Sequence, residues 1–249
     1  MIFQNIPEPI DELLRVLGYW DHIFTGFIIT LWLYGWSLLF GFVLGLFLSI
    51  LRTYGNRFIS PVATAYIDLM RGTPLIAQLL LIYFLPYSLN IPISNWSLEA
   101  NFMMFDKNIK LILLDHKTII GIVALSLNSS AYQAEYLRGA IISVGSGQLL
   151  AAQSIGMSRL AGIRHIILPQ ALRRVIPAWS NEAAYLPKYT VVVYFIGVRD
   201  LFSEGYYIVS RTFLSLASFV VVAIVFLVLI SVISKGLDVI YEKTRIPGL

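Results

Sequence analysis

Residues 213–234 read FLSLASFVVVAIVFLVLISVIS, an unbroken run with no ionisable side chain. As a helix rising ~1.5 Å per residue, such a run is long enough to cross the ~30 Å hydrocarbon core of a bilayer. No water reaches backbone amides there, so a lone spanning segment has to satisfy them within its own helix. A second charge-free run, 23–51, is longer and crosses with tilt, and a third covers 119–134 with ends running from Lys117 to Glu135. Two further apolar stretches are interrupted: 59–86 by Asp68, Arg71 and Pro74, and 175–198 by Pro177, Glu182, Pro187 and Lys188. The expected fold is all-α and integral to the membrane, one domain over residues 1–249. Its five or so transmembrane helices are placed at 23–51, 59–86, 117–137, 175–198 and 212–236.

Composition supports that class. The chain is 58% hydrophobic and 13% charged, with a mean hydropathy of +0.78, and no soluble stretch is long enough for a separate core. Residues 1–22 carry Glu8, Asp11, Glu12 and Asp21 against Arg15 alone, which is not the basic start of a cleavable signal. Residues 7–22 are expected to form a short helix lying on the membrane surface, with Tyr19 and Trp20 at headgroup level. There is no cysteine, and His22, His116 and His165 are scattered, so neither thiol chemistry nor a metal site is expected.

Orientation follows from basic residues. The 52–57 turn, the 138–174 loop and the 235–249 tail together hold ten Lys and Arg, whereas 1–22, 87–117 and 199–211 hold six. The richer side is expected to be cytoplasmic, which puts the N-terminus outside and the C-terminus inside. The 138–174 loop carries five Arg and no acid. On the other side, 87–117 is a long loop with Asn90, Pro92, Asn95 and Trp96, of the kind that caps a pore or meets a partner.

The cytoplasmic loop is the most patterned segment. Ala151-Ala152 is followed after three residues by Gly156, after nine more by Ile166, and then by Leu168-Pro169. The small residues allow close approach of another surface. Gly145 and Gly147 are expected to break the chain before this segment and Pro169 to end it. The result is a short helix set crosswise under the membrane, ringed by Arg159, Arg164, Arg173 and Arg174. A basic segment resting on anionic lipid is the plainer alternative. The spacing resembles the signature loop of binding-protein-dependent importer permeases, Glu-Ala-Ala-x3-Gly-x9-Ile-x-Leu-Pro, with Leu150 where the family has Glu.

Two other segments extend the resemblance. YIDLMRGTPLIAQLLLIYF (66–84) and LSLNSSAYQAEYLRGAI (125–141) are similar to the polar amino acid branch of those permeases, which includes histidine, glutamate, glutamine, arginine and opine systems. LPQALRRVIPAWSNE (168–182) follows in the expected order. The departures are Asp68 for the commoner Glu, and Lys188-Tyr189-Thr190-Val191 after Pro187 where the branch has Lys-Asp-Thr-Ser.

Charged groups at membrane depth are costly and normally face a cavity or a partner. Asp68 and Arg71, three apart on a helix, can pair on one face. Pro74 removes an amide and deprives the Met70 carbonyl of its helical donor, so Gly72-Thr73-Pro74 should break the second span. Such a break either offers backbone groups to a small polar solute or is a structural kink at the cytoplasmic end. Gln78, Asn128, Ser129, Asn181 and Glu182, with Arg71 and Lys188, are the other candidates for a translocation path. Bonding between helices is the alternative role for each.

The resemblance implies a permease subunit of an ABC importer that carries a polar amino acid. Gly147, Gln148, Ala151, Ala152, Gly156, Arg159 and Arg164 would dock the motor. No G-x-x-x-x-G-K-[ST] and no Gly-Lys pair occurs, so ATP and Mg would be bound by partners and this chain is expected to be neither an enzyme nor a cofactor binder. The implied assembly is a second permease subunit (identical or related), two cytoplasmic ATPases and an extracytoplasmic amino-acid-binding protein, set in cell-membrane lipid without nucleic acid. A stand-alone channel or secondary transporter would work without ATP and show internal repeats. A membrane enzyme would need an acid or histidine cluster.

Overall fold

The computed structural model describes residues 8–92 and 96–244. Asn95, the first seven residues and the last five, including Arg245, lie outside them. The chain is mostly helical, with helices α1 (Glu8–Leu17), α2 (Trp20–Tyr54), α3 (Ile59–Gly72), α4 (Leu75–Ser88), α5 (His116–Ser143), α6 (Ser146–Ser154), α7 (Arg159–Gly162), α8 (Leu168–Arg174), α9 (Ile176–Tyr189), α10 (Leu201–Thr212) and α11 (Ser215–Thr244), and the three charge-free runs give the longest of them, α2, α5 and α11. A π turn (Ile163–Ile167) joins α7 to α8, and a 3₁₀ segment (Thr190–Ile196) continues α9. Among the described residues, α2 and α11 are long and apolar enough to cross a membrane, and α3 with α4, separated by the break at Thr73-Pro74, would together be a third span.

Several expectations are corrected. The fold is not purely α: the 87–117 loop holds an antiparallel hairpin, β1 (Ser97–Met104) and β2 (Lys107–Asp115), paired from Ser97↔Asp115 to Met104↔Lys107. Its two-residue turn, Phe105-Asp106, has positive φ at both positions, the geometry that matches strand twist. The surface helix ends at Leu17, and Trp20 already belongs to α2. Segment 199–211 is largely α10, started by Asp200, whose Oδ1 accepts from the Ser203 amide at 2.9 Å.

Pro169 does not end its helix. It stands in the first turn of α8, where a missing amide costs little, directly after the π turn. Gly147 lies inside α6; the break is Gly145 alone, at φ 86.

By contacts the chain forms two compact units. Among the described residues, the first takes in those within Met1–Ser37, Leu75–Leu125 and Pro187–Ser231; the second takes in those within Leu38–Pro74, Ser126–Leu186 and Val232–Leu249. In the first, Val16, Ile208, Ala217 and Val221 form a core with Leu13, Tyr19, Ile23 and Leu214 against it. Gly26 lies so close to the start of α10 that a Cβ there would meet the Leu201 Cα at 2.7 Å.

In the second unit, α5 packs against the π turn and α8 through Leu137, Ile141, Ile167 and Ala171. It also packs against α2 and α3 through Leu48, Ala63, Ile67, Ala131 and Ala134. Gly45 makes the α2 contact possible, since a Cβ would come within 2.9 Å of the Ser130 carbonyl oxygen.

Candidate functional site

In the second unit, α6 to α8 form a short, outward-facing helical segment. Its α6 ends in a Schellman motif: the Met157 amide bonds the Ala152 carbonyl at 3.1 Å and the Gly156 amide bonds Gln153 at 3.0 Å. Gly156 sits at φ 93, and nothing lies within 4 Å of where its Cβ would be. Within the chain its requirement is therefore conformational, and the open space beside it leaves room for another surface to approach.

The two alanines divide. Ala152 is buried against Gly162, while Ala151 is exposed beside Gly147 and Gln148. Leu150 (63% exposed), Ile155 (81%) and Leu160 (74%) give this surface an apolar character, uncovered among the described residues. Arg159 stands over the Tyr54 ring at 5.7 Å, Arg164 is exposed, and Arg174 donates to the Ser143 carbonyl. Ser158 caps α7 by accepting from the Ala161 amide.

The break at Gly72-Thr73-Pro74 is present and exposed. The carbonyl left without a donor by Pro74 has found one: Asn128 Nδ2 donates to Met70 O at 3.1 Å. Asn128 is thus committed to the break. Thr73 Oγ1 donates back to Leu69 O at 2.8 Å.

Arg71 pairs with Glu135 at 3.5 Å and not with Asp68. Glu135 is the better partner because it also gathers Arg52 and, at 3.2 Å, Arg138. The four side chains tie together the ends of α2 and α3 and the middle of α5. Arg71 also lies over the Tyr132 ring.

Ser129 donates to Glu182 at 2.6 Å, and both are buried. Sequence reasoning missed the rest of that network. Gln133 Nε2 donates to Ser129 Oγ and to the Leu38 carbonyl, and Trp179 Nε1 donates to Gln133 Oε1 at 2.7 Å. A Gln four residues after a polar Ser on one helix face was the available signal. Asn181 is exposed. Gln78, which is buried, and Lys188, which is exposed, belong to the first unit, so the proposed path residues do not form one cluster within either unit.

The first unit holds a site the sequence did not suggest. Glu204, 1% exposed, accepts from His22 Nδ1 at 2.7 Å and from Arg199 Nε at 2.6 Å. With Tyr194, Ser203 and Tyr207 these side chains line a cavity of about 560 Å³. Beside it Asp200 is fully buried, and burial pushes its carboxyl up to about 6 against the lowering effect of its Ser203 bonds.

Long apolar helices, one broken at a proline, and a polar network buried among them define a polytopic membrane protein. The chain belongs to the family of binding-protein-dependent transport system inner membrane components, whose model matches residues 37–246. It is 33% identical over 218 residues to the glutamine transport system permease protein GlnP of Escherichia coli (strain K12), covering 87% of this chain and 90% of that one. It is 36% identical over 206 residues to the histidine/lysine/arginine/ornithine permease protein HisM of the same organism, with coverage of 83% and 82%.

The nopaline permease protein NocM of Agrobacterium fabrum is 32% identical over 199 residues, covering 80% and 78%. Among solved structures, a chain of an amino acid ABC transporter crystallised with histidines superposes with a TM-score of 0.77 at 31% identity, covering 93% of this chain and 98% of that one. The inward-facing MetNI methionine transporter, at 19% identity and a TM-score of 0.64 with coverage of 97% and 100%, shares the fold.

Proposed function

We propose that this chain forms the translocation path of an ATP-driven importer for a polar amino acid, with α6 as the element that takes force from a partner ATPase. The observation that carries the reading is α6 itself: a short helix bounded by two glycines at positive φ, Gly145 and Gly156, with Leu150, Ile155 and Leu160 uncovered. Residues 147–164 supply Gly147, Gln148, Ala151, Arg159 and Arg164 to the docking face, while Ala152 holds it to the chain. Leu150 makes the contact more apolar than the family's Glu would. The relatives' glutamine, histidine and nopaline systems support a polar, amino-acid-like solute.

Residues 1–249 act as one permease domain with five spans: α2, the α3–α4 pair, α5, α9 with its 3₁₀ extension, and α11. The N-terminus is extracytoplasmic and the C-terminus cytoplasmic. A second permease subunit completes the path, two ATPases bind ATP and Mg, and a solute-binding protein delivers the amino acid. ATP-driven closure of the ATPases moves α6. Because α6 packs through Leu149 on the cluster containing Leu137, Ile141 and Ile167, the motion passes into α5 and α8. Arg71, Gly72, Thr73 and Pro74 at the break, with Gln78, Asn181 and Lys188, are the groups a solute would meet. Asn128, Ser129 and Glu182 hold the helices that carry them.

Two experiments test this. Co-expression with adjacent genes should recover an ATPase on the tagged chain; repeated recovery of the chain alone counts against the reading. Gly156→Val, strained at φ 93, should lower uptake and its coupling to ATP hydrolysis while membrane insertion stays normal. Uncoupled uptake at the wild-type rate would refute it.

A further inference from the structure

We propose that the β1–β2 hairpin is a membrane-interface anchor, whose tip residues Met103 and Phe105 insert among lipid headgroups beside the first turn of α2.

The hairpin tip is fixed to that turn by four contacts within one unit. Lys107 Nζ donates to Asp21 Oδ1 at 2.6 Å and to Gly18 O at 2.8 Å. The Phe105 ring meets Trp20 edge-on at 5.7 Å, and Phe102 meets Phe24 at 6.5 Å. The level of Trp20 is set independently. Ile23, where the charge-free run of α2 begins, packs in one cluster with Leu214 and Ala217, at the start of the charge-free run of α11. Two spans that enter the apolar phase at the same height mark its edge there, and Trp20 stands one turn beyond it. Tryptophan favours that depth.

The hairpin's own chemistry fits this position. Ile109 and Leu111 face inward and are buried. The opposite face presents Glu99, Asn101, Asn108 and Lys110 along its length, with an ion pair between Lys110 and Glu99 at 2.8 Å. Towards the tip this face also exposes apolar side chains, with Met103, cross-strand from Asn108, 71% and Phe105, in the turn, 79% exposed.

Phe105 holds φ 44, in a turn that ordinarily takes Asn-Gly or Asp-Gly. A bulky ring kept in that strained region points to a use for the side chain in its exposed place. On the same unit, Ile10, Leu14 and Leu17 of α1, spaced as one helical stripe and each about half exposed, extend the apolar surface at this level. A continuous lipid surface is the occupant that covers both, because the bilayer is already in contact with α2 and α11.

The absence of cysteine makes a direct test possible on the full chain. Single Phe105→Cys, Met103→Cys and Asn101→Cys variants would carry the same environment-sensitive fluorophore and be reconstituted in phosphatidylcholine–phosphatidylglycerol vesicles. Asn101 shares the outward face but stands two residues further from the tip. A nitroxide placed ~5–10 Å below the headgroups should quench the labels at 103 and 105 about twofold more than the label at 101. Aqueous iodide should do the reverse. The label at 101 controls for any lipid affinity of the dye. Equal iodide access at all three positions overturns the proposal. So does protection at 103 and 105 without lipid quenching, which would mean a protein surface covers the tip. Neither readout depends on transport, so the test can fail while the transport reading stands.

Discussion

Replacing Glu135 with Gln should be far more harmful than removing any one of its arginines, and the structure sets the order. Glu135 and Arg52 each keep 19% side-chain exposure, while Arg138 keeps 35% and Arg71 keeps 42%. At ~4 Å and an effective dielectric near 20, each pair attracts by about 4 kcal/mol before desolvation. Exposed pairs retain under ~1 kcal/mol of that, so Arg71→Gln, which loses a 3.5 Å contact, should cost about 0.5 kcal/mol or less. Arg138→Gln should cost no more than about 1 kcal/mol.

Glu135→Gln is different in kind. It leaves three cations together with no anion, one of them largely buried, and so approaches the low end of the ~3–5 kcal/mol seen when a buried pair is broken. We expect about 2–3 kcal/mol in denaturant-titrated unfolding in mixed micelles. The reasoning has a sharper consequence in the double variant. Arg52→Gln, harmful alone, should partly rescue Glu135→Gln because it removes the worst repulsion, a negative coupling where independent sites would show none. If Glu135→Gln stays within ~0.5 kcal/mol of wild type, or if the two changes simply add, the cluster is not held by its carboxylate.

Other outcomes follow from single contacts. Asn128→Ala removes the bond that Asn128 gives the Met70 carbonyl at the break and should cost about 0.5–1.5 kcal/mol in the same unfolding assay, the range for polar contacts between membrane helices. Gly45→Ala places a methyl 2.9 Å from the Ser130 carbonyl oxygen, backbone that cannot swing away, and should cost about 1–3 kcal/mol by forcing α2 from α5. Asp200 has a folded-state pKa raised, mainly by burial, from 3.8 to about 6. The neutral form is the one the fold favours, so its stabilising contribution is complete below pH ~4 and lost as pH rises through about 6. Asp200→Asn should flatten stability between those values, and an unchanged pH profile would count against burial as the cause.

The break in the second span shows where sequence stops being enough. Pro74 announces itself, because a proline inside an apolar run necessarily strands a carbonyl four residues back, and the bend was readable from that fact alone. What fills the vacancy was not readable: Asn128 is 58 residues away, and an asparagine in a span looks the same whether it meets solute or a neighbouring helix. Arg71 carries the same ambiguity. Spacing favoured Asp68, a local partner, but in the fold the better acceptor was Glu135, already gathering charge from two other arginines.

The hairpin escaped notice for a different reason. Its turn is Phe-Asp, its inward positions carry Met and Ile, and its outward face is interrupted by exposed apolar residues, so the period-two signal is blurred where it would be sought. Pro169 misled in the other direction, since a proline reads as a stop unless it falls in a helix's first turn. The loop at 147–164 was legible because its pattern is one of small residues and turns, which act through backbone geometry. Gly156 illustrates the point: the sequence marked the position, and its φ of 93 supplies the physical reason. Local backbone demands were therefore visible in the sequence, whereas the assignment of polar side chains to partners depended on which helices pack together.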